Sequence, residues 1–312
     1  MTSKRIVVAI ASIIVVLAGL GLAVSGMVAP AWNGECWFLK RQAVHVLVCV
    51  IAACAAAFVP WRVWLKSAPW LFVVWMLLFF SSFMFSPING LHRWVFIGPV
   101  QIDTWTLGWP AVILFMCWLR SRFQICACWL LMALSVGVLG CVMVQIATNP
   151  DGLERIKIWM RIDEKAPDKE LKTSWKAVEQ DLLYDAYNTS KWIGRNTDVA
   201  GRGVPHGHTM GVTAGTAAAF GKIFPLSVLV LFMTVGMLLA WLGCQIKDSV
   251  KRLFLLLFGL WFFCPAVNGL TETSKLTPFL GLGLPLVSFG LAATLVAALG
   301  LGILWAIVRD SR

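Results

Sequence analysis

The sequence predicts an all-α, polytopic membrane protein, and three observations support that prediction. Apolar residues make up 59% of the chain and charged residues only 13%, whereas soluble domains average about 45–50% and about 25%. Apolar runs close to the roughly 20 residues that cross a bilayer recur along the chain. Seventeen tryptophans accompany only two tyrosines, and tryptophan is enriched at membrane interfaces. We therefore expect one integral membrane domain over residues 1–312.

The expected membrane spans follow the apolar runs in order. The first run exceeds the roughly 7–15 apolar residues of a signal peptide, so we expect a retained helix rather than a cleaved leader. The fourth run is short for a straight crossing. The eight expected spans cover residues 6–28, 43–60, 69–86, 106–119, 124–147, 223–245, 253–270 and 285–308.

The distribution of positive charge predicts the orientation. With the N-terminus in the cytoplasm, most lysines and arginines near span ends fall on the cytoplasmic side, as the positive-inside rule requires. Both termini are then cytoplasmic, and the polar segment at about 148–208 is extracytoplasmic. The net charge of +11 follows from such flanking residues. Because the chain has no soluble basic domain, nucleic acid is not expected as a partner.

One stretch of the polar segment has the spacing of an amphipathic helix. Trp175, Val178, Leu182 and Leu183 recur at helical intervals. Such a helix either lies on the membrane surface or packs over the bundle of spans.

Four polar clusters are expected on the outward side. In the first, Phe38 to Gln42, two cations at a lipid interface suit either an anionic phosphate or a snorkelling pair. In the second, Ser86 to Asp103, Arg93 could clamp a phosphate while Trp94 stacks on a sugar or lipid, and the alternative is an interfacial anchor.

The third cluster, Thr277 to Gly290, interrupts an apolar stretch with prolines and glycines. Irregular backbone at membrane depth is tolerated only inside protein or along a cavity, so we expect a site there, with close helix packing as the alternative. The fourth cluster holds His206 and His208. Two ligands are fewer than the three or four that zinc uses, and no carboxylate lies at ligand spacing, so we expect no metal site.

Taken in this order, the clusters resemble the FtsW, RodA and SpoVE family of polytopic cell-wall polymerases. The Phe38–Gln42 run is similar to the family's Phe-Lys-Arg-Gln with one insertion. The second cluster matches Asn-Gly-x-x-Arg-Trp followed by Gly-Pro, and the third matches most of the family's Pro-x-x-Gly-x-x-Leu-Pro-Phe-Val-Ser block. The resemblance implies these substrate-binding residues: Lys40, Arg41, Gln42, Asn89, Arg93, Trp94, His208, Thr209, Asn268, Pro285 and Ser288.

The chain departs from the family pattern at the positions that carry its acid–base chemistry. The family's catalytic Asp, after His-Thr, corresponds to Met210, and two glutamates of the next helix correspond to Ala218 and Ala219. The family's Pro-Ser-Glu and Lys after the Gly-Pro turn fall on other residue types. With eight expected spans, the chain is one hairpin shorter than the usual ten-span members. Weak candidates for a substitute base are His208, Asp103 and Asp198.

The resemblance implies a role in peptidoglycan synthesis during cell division or shape maintenance, in the bacterial inner membrane. The implied ligand is lipid II, and the implied partner is a single-span penicillin-binding transpeptidase of a division or elongation complex. No cofactor is expected in the protein, although a divalent cation can accompany the substrate diphosphate. Three hypotheses follow: a lipid II-binding relative with weak or no glycosyltransferase activity, an active polymerase that uses another base, and a lipid transporter or flippase.

Overall fold

The computed structural model of the protein describes eleven ranges and single positions of the chain. These are residues 3–27, 37–85, 92–97, 100–126, 129–130, 132, 137, 175–195, 212–273, 276 and 284–311. The expected span at 124–147 falls almost wholly outside them, as do Asn89, Asp198, His206, His208, Thr209 and Met210.

The described chain is a polytopic membrane helix bundle. Its helices are α1 (Ser3–Met27), α2 (Trp37–Phe58), α3 (Trp61–Ser81), α4 (Thr104–Phe123), α5 (Trp175–Asn188), α6 (Val212–Phe220), α7 (Ile223–Gln245), α8 (Ser249–Thr273) and α9 (Leu291–Arg309). Among the described residues, six helices are long and apolar enough to cross a membrane: α1, α2, α3, α7, α8 and α9.

The α4 helix coincides with the short fourth run of the sequence. It is 20 residues long and carries Arg120 and Arg122 in its last turn, and it is absent from the six apolar candidates of the described chain. The total number of crossings therefore stays a prediction.

Helices α8 and α9 form the centre of the bundle, and α2 and α3 lie at its periphery. More than half of the apolar stretch is buried in α8 and α9, against less than a fifth in α2 and α3. Small residues allow close approach: a Cβ on Gly302 of α9 would overlap the Ala53 carbonyl oxygen of α2. Such small-residue contacts are how helices pack in lipid, where the solvent itself is apolar.

A short β-hairpin follows α3, where the sequence suggested only a turn-rich loop. Strand β1 (Trp94–Ile97) pairs antiparallel with β2 (Val100–Asp103), with Trp94 opposite Asp103. Valine, isoleucine and phenylalanine favour strands, and the Gly-Pro dipeptide between the strands favours a turn. The hairpin delivers Arg93 and Asp103 to the start of α4.

The α5 helix of the long polar segment packs on the bundle. Leu183 and Ala186 are each 2% exposed and form a cluster with Ala214 and Ala218 of α6. This face of α5 therefore packs against α6 and does not lie on a lipid surface.

Candidate functional site

The first polar cluster forms the end of α2 and borders an open cavity of about 460 Å³. The described residues that line the cavity are Lys40, Arg41, Val44 and His45. Lys40 and Arg41 are exposed, so a ligand in the cavity can reach both side chains. They lie within the first turns of an apolar helix, which places them close to the membrane boundary.

Gln42, next to these two cations along α2, is completely buried. Its Oε1 atom accepts a hydrogen bond from the Gly290 backbone N–H at 3.3 Å and lies 3.4 Å from Nδ1 of His45. Its Nε2 atom has no hydrogen-bond partner among the described residues. Gln42 therefore joins the cavity-bearing helix to the broken segment before α9.

That broken segment, residues 284–290, is irregular backbone buried among helices. Leu286 has a φ of 67°, and the Val287 N–H donates to the Pro285 carbonyl at 2.8 Å, which closes a tight turn. A leucine at positive φ is a strained conformation that costs about 1–3 kcal/mol and needs its surroundings to hold it. Here the Leu286 carbonyl packs directly against Gly21 of α1, where a Cβ would overlap it.

The same segment meets the other two motif regions. Phe289 packs edge-on against Phe38, at 5.1 Å between ring centroids, and its ring is tilted against that of His45 at 5.6 Å. A Cβ on Gly269 would lie 2.8 Å from Thr213 Oγ1 and 3.6 Å from Leu284. The fold thus brings together the neighbours of Asn268, the start of α6 and the Leu284 turn. Asn268 itself accepts a hydrogen bond from Thr271 through its carbonyl oxygen.

Pro285 and Ser288, which we expected at a cavity, are buried in protein. Neither belongs to the described lining of the cavity at Lys40. The described residues of this segment are therefore packed among helices, and a ligand-binding role for Pro285 and Ser288 stays a prediction. Ser288 Oγ has no hydrogen-bond partner within the described chain, which leaves it able to bind a polar group that reaches the segment.

Arg93 is committed to an ion pair rather than free to clamp a phosphate. Its Nη2 atom lies 2.5 Å from Asp103 Oδ2 and donates to Thr106 Oγ1 at 3.3 Å. Arg93 also lies over the Trp94 ring, 5.3 Å from its centroid, so that this pair forms a local cation–π contact. In this geometry the charge of Arg93 is paired with that of Asp103, and ligand binding by Arg93 and Trp94 stays a prediction.

Asp103 is a structural cap and a poor base. It precedes α4 and accepts from the Thr106 backbone N–H at 3.1 Å and from Thr106 Oγ1 at 2.7 Å. Burial alone would raise the pKa of Asp103, but the Arg93 charge and the hydrogen bonds from Arg93 and Thr106 outweigh burial and lower the pKa below its ordinary value. A carboxylate held in this way takes up a proton less readily than an ordinary aspartate does.

Ala218, which the family resemblance aligns with a glutamate, lies in apolar packing. Ala218 is 1% exposed and contacts Leu183 and Ala186 of α5. A carboxylate at this position would have to be buried against an apolar helix, which is strongly unfavourable without a partner. An alanine at this position is therefore consistent with the packing of α5 on α6.

His45 is the residue that our sequence analysis missed. It follows Arg41 by four positions and Gln42 by three, so that helical periodicity puts all three on neighbouring parts of α2. That spacing was the available signal, but a lone histidine in an apolar helix is usually a packing residue. Only the cavity and the contact with Gln42 distinguish it. Among the described residues, no group of three or more His, Cys, Asp or Glu side chains could hold a metal ion.

The fold and this arrangement of motifs define a class: polytopic helical membrane proteins built like the rod-shape protein RodA. The structure aligns with RodA of Thermus thermophilus with a TM-score of 0.66 and with a RodA point mutant from the same organism with a TM-score of 0.70. Both are 21% identical and cover 97% of this chain and 96–97% of the other. A chain of a peptidoglycan synthase complex that coordinates polymerization and crosslinking aligns with a TM-score of 0.73, at 19% identity, over 97% of each chain.

Sequence comparison agrees with the structural one. The FtsW/RodA/SpoVE family model, described as a cell cycle protein, matches residues 199–312. A probable peptidoglycan glycosyltransferase FtsW from Pseudoalteromonas atlantica is 23% identical over 320 aligned positions, covering 86% of this chain. The chain spans 64% of the length of that relative. The C-terminal part of the chain therefore resembles the FtsW/RodA/SpoVE family in sequence, and the chain resembles RodA in fold.

Proposed function

We propose that the chain is a divergent FtsW/RodA-like protein of peptidoglycan synthesis that binds lipid II and polymerises it weakly or not at all. The observation that carries the proposal is the open cavity at the end of α2, where two exposed cations, Lys40 and Arg41, face a space of about 460 Å³. Lipid II presents a diphosphate between a sugar and a polyprenyl chain. Charged hydrogen bonds to phosphate are among the strongest polar contacts available to a protein.

The surface below the cavity suits the prenyl chain. Val44, Leu47, Val48 and Ile51 follow one another at helical spacing on α2 and are 57%, 61%, 43% and 61% exposed. This apolar stripe begins at the cavity and continues along the membrane span. A ligand with its diphosphate at Lys40 and Arg41 would therefore lay its hydrocarbon chain along the stripe, in contact with lipid.

The weak activity follows from the acid–base residues. Transfer of the donor sugar needs a group that removes the proton of the attacking hydroxyl, and loss of such a positioned base costs typically about 10²–10⁴-fold. The family's Asp position is Met210, which has no proton-accepting group. The Asp103 carboxylate already accepts hydrogen bonds from Arg93 and Thr106, which makes it a poor proton acceptor. We expect binding to be retained and turnover to be reduced accordingly.

An active polymerase is the second candidate, and His45 is the observation that favours it. With Nδ1 donating to Gln42 Oε1, the other ring nitrogen would be an acceptor, which is the arrangement of an oriented general base. His45 also lines the cavity beside both cations. In this alternative His45 takes the hydroxyl proton, the glycosidic bond forms and undecaprenyl diphosphate leaves.

The setting of the protein is part of the proposal. We place it in the bacterial inner membrane with both termini in the cytoplasm, beside a single-span penicillin-binding transpeptidase of a division or elongation complex. One of the structurally similar chains comes from a peptidoglycan synthase complex, which supports such a partner. A divalent cation would enter with the substrate diphosphate rather than as a resident cofactor.

The test uses the purified chain in lipid nanodiscs with fluorescent lipid II. Lys40→Ala and Arg41→Ala should each weaken binding by roughly tenfold to a hundredfold, because a hydrogen bond to a charged group contributes about 1.5–3 kcal/mol. Arg122→Gln, at an exposed cation elsewhere, should leave binding unchanged. Unchanged binding in both cavity variants would overturn the binding proposal.

Glycan product in the same reactions separates the two candidates. The binding proposal expects little or no polymer from the wild-type chain. If polymer forms, and if His45→Gln abolishes it while lipid II binding persists, the active-polymerase alternative is correct. If polymer forms and His45→Gln leaves it intact, both the weak-activity proposal and the role of His45 are wrong.

A further inference from the structure

Three backbone hydrogen bonds fix a short turn after α5 to the beginning of a membrane span. The turn covers residues 191–195. Its Gly194 N–H donates to the Phe220 carbonyl at 3.1 Å, and its Lys191 and Trp192 carbonyls accept from Lys222 at 2.9 Å and Ile223 at 3.2 Å. Ile223 is the first residue of α7. The depth of the turn is therefore set by the position of α7 in the bilayer.

The exposed face of α7 shows where that bilayer lies. Ile223, Val230, Met237 and Trp241 are 49%, 59%, 61% and 43% exposed, and their spacing puts them on one face of the helix. Ile223 and Trp241 are 18 positions apart, which is about 27 Å along an α-helix. This length matches the roughly 30 Å hydrocarbon core of a bilayer. Ile223 therefore lies at one membrane boundary, and so does the turn bonded to it.

The turn exposes its two most apolar side chains at this boundary. Trp192 is 67% exposed and Ile193 is 74% exposed. Tryptophan with a neighbouring aliphatic residue is typical of the boundary between lipid headgroups and acyl chains. In water the same pair would leave a large apolar surface uncovered. Because the pair lies beside the lipid-facing side of α7, lipid covers this apolar surface.

Positive charge surrounds the pair. Lys191 and Arg195 are exposed, and Lys222 Nζ lies 5.7 Å from the ring centroid of Tyr187 and 5.9 Å from that of Trp192. The Lys222 ammonium also donates to the Asn188 carbonyl at 2.9 Å, which holds it against the turn. The sequence from 188 to 195 contains no acidic residue. Cations at this depth lie at the level of lipid phosphates.

We propose that the 191–195 turn is a lipid-binding anchor, in which Trp192 and Ile193 insert at the membrane boundary and Lys191 and Arg195 contact anionic headgroups. The anchor holds the end of α5 at the membrane surface, and α5 in turn packs on α6 through Leu183 and Ala186. The proposal does not depend on lipid II binding.

Photo-crosslinking in nanodiscs of phosphatidylethanolamine and phosphatidylglycerol tests the anchor. The probe p-benzoylphenylalanine is placed at Ile193, at Met237 as a lipid-facing control, and at the exposed Asp181 of α5 as a control away from lipid. After irradiation, mass spectrometry measures lipid adducts on each peptide, and size exclusion confirms that each variant is folded. We expect lipid adducts at positions 193 and 237 and none at position 181.

A second measurement examines the cations. Lys191→Gln and Arg195→Gln, each combined with the probe at Ile193, should lower the ratio of phosphatidylglycerol to phosphatidylethanolamine adducts by up to about fivefold, because a cation near an anionic surface contributes about 1 kcal/mol. Absence of lipid adducts at 193 when 237 is labelled would overturn the proposal. Crosslinking of position 193 to a protein in intact cell membranes would also overturn it, since the turn would then be a docking surface.

Discussion

The ion pair between Arg93 and Asp103 offers a sharp test of how the β-hairpin is attached to α4. The two side chains are only 13% and 14% exposed. Asp103 accepts from Arg93 and from the side chain and backbone of Thr106, and the Arg93 carbonyl accepts from the backbone and side chain of Thr104. The pair therefore joins the strand, the cap and the first turn of the helix.

Removing one partner leaves the other charge buried. Breaking a buried pair in this way costs about 3–5 kcal/mol, and loss of an N-cap acceptor costs about 0.5–2 kcal/mol. Asp103→Asn keeps a capping oxygen and isolates the loss of charge, so we expect about 3 kcal/mol of destabilisation for it. Asp103→Ala should cost more, because the cap is lost as well. Arg93→Gln should resemble Asp103→Asn.

The double variant, Arg93→Gln with Asp103→Asn, distinguishes a true pair from two separate contributions. Neither charge is then buried alone, so the double variant should be less destabilised than the sum of the singles, with a coupling of about 0.5–3 kcal/mol. Denaturation in mixed micelles measures the free energies of unfolding. Arg122→Gln, at an exposed cation, should change stability by no more than about 0.5 kcal/mol. Strictly additive costs would refute the reasoning.

The same pair predicts a dependence on pH. The pKa of Asp103 is lower in the folded protein than its ordinary value. The unfolded chain therefore takes up the proton first as the pH falls, and the contribution of Asp103 to stability is fully present above the ordinary aspartate pKa of about 3.9. It is lost as the pH falls through the folded-state pKa. Asp103→Asn should abolish this part of the acid sensitivity.

Two further predictions concern packing and capping. Gly302→Leu should destabilise the bundle by roughly 1–3 kcal/mol or more, because a Cβ at this position meets the Ala53 backbone. A Cβ at Gly19 has nothing within 4 Å, so Gly19→Ala should be neutral or stabilising by up to about 1 kcal/mol in a helix. Thermal unfolding in nanodiscs compares the two variants, and equal effects would contradict the packing of α9 on α2. Asp310→Ala should lower the free energy of unfolding by about 0.5–2 kcal/mol, because Asp310 Oδ2 accepts a hydrogen bond from the Trp61 backbone N–H at 2.9 Å, at the start of α3. Unchanged stability would show that this hydrogen bond contributes nothing.

The sequence by itself determined the fold class, because the length and apolarity of a membrane span are local properties. Helices α7 and α8 begin and end within a few residues of the expected spans. The motif residues of the first cluster were also evident from order and spacing. The hairpin at Trp94 was less evident, because strand pairing depends on two segments meeting rather than on either segment alone.

Only the tertiary structure decided which of the candidate residues act together. The sequence shows that Arg93 and Asp103 are both present, but it does not show that their charges neutralise one another. It also gives no indication that Gln42 accepts a hydrogen bond from Gly290, 248 positions away. The positions of His45 on the cavity and of Trp192 at the start of α7 likewise follow from contacts between distant segments. Whether a charge is paired and whether a side chain is buried depend on the neighbouring residues, and those neighbours come together only when the helices pack.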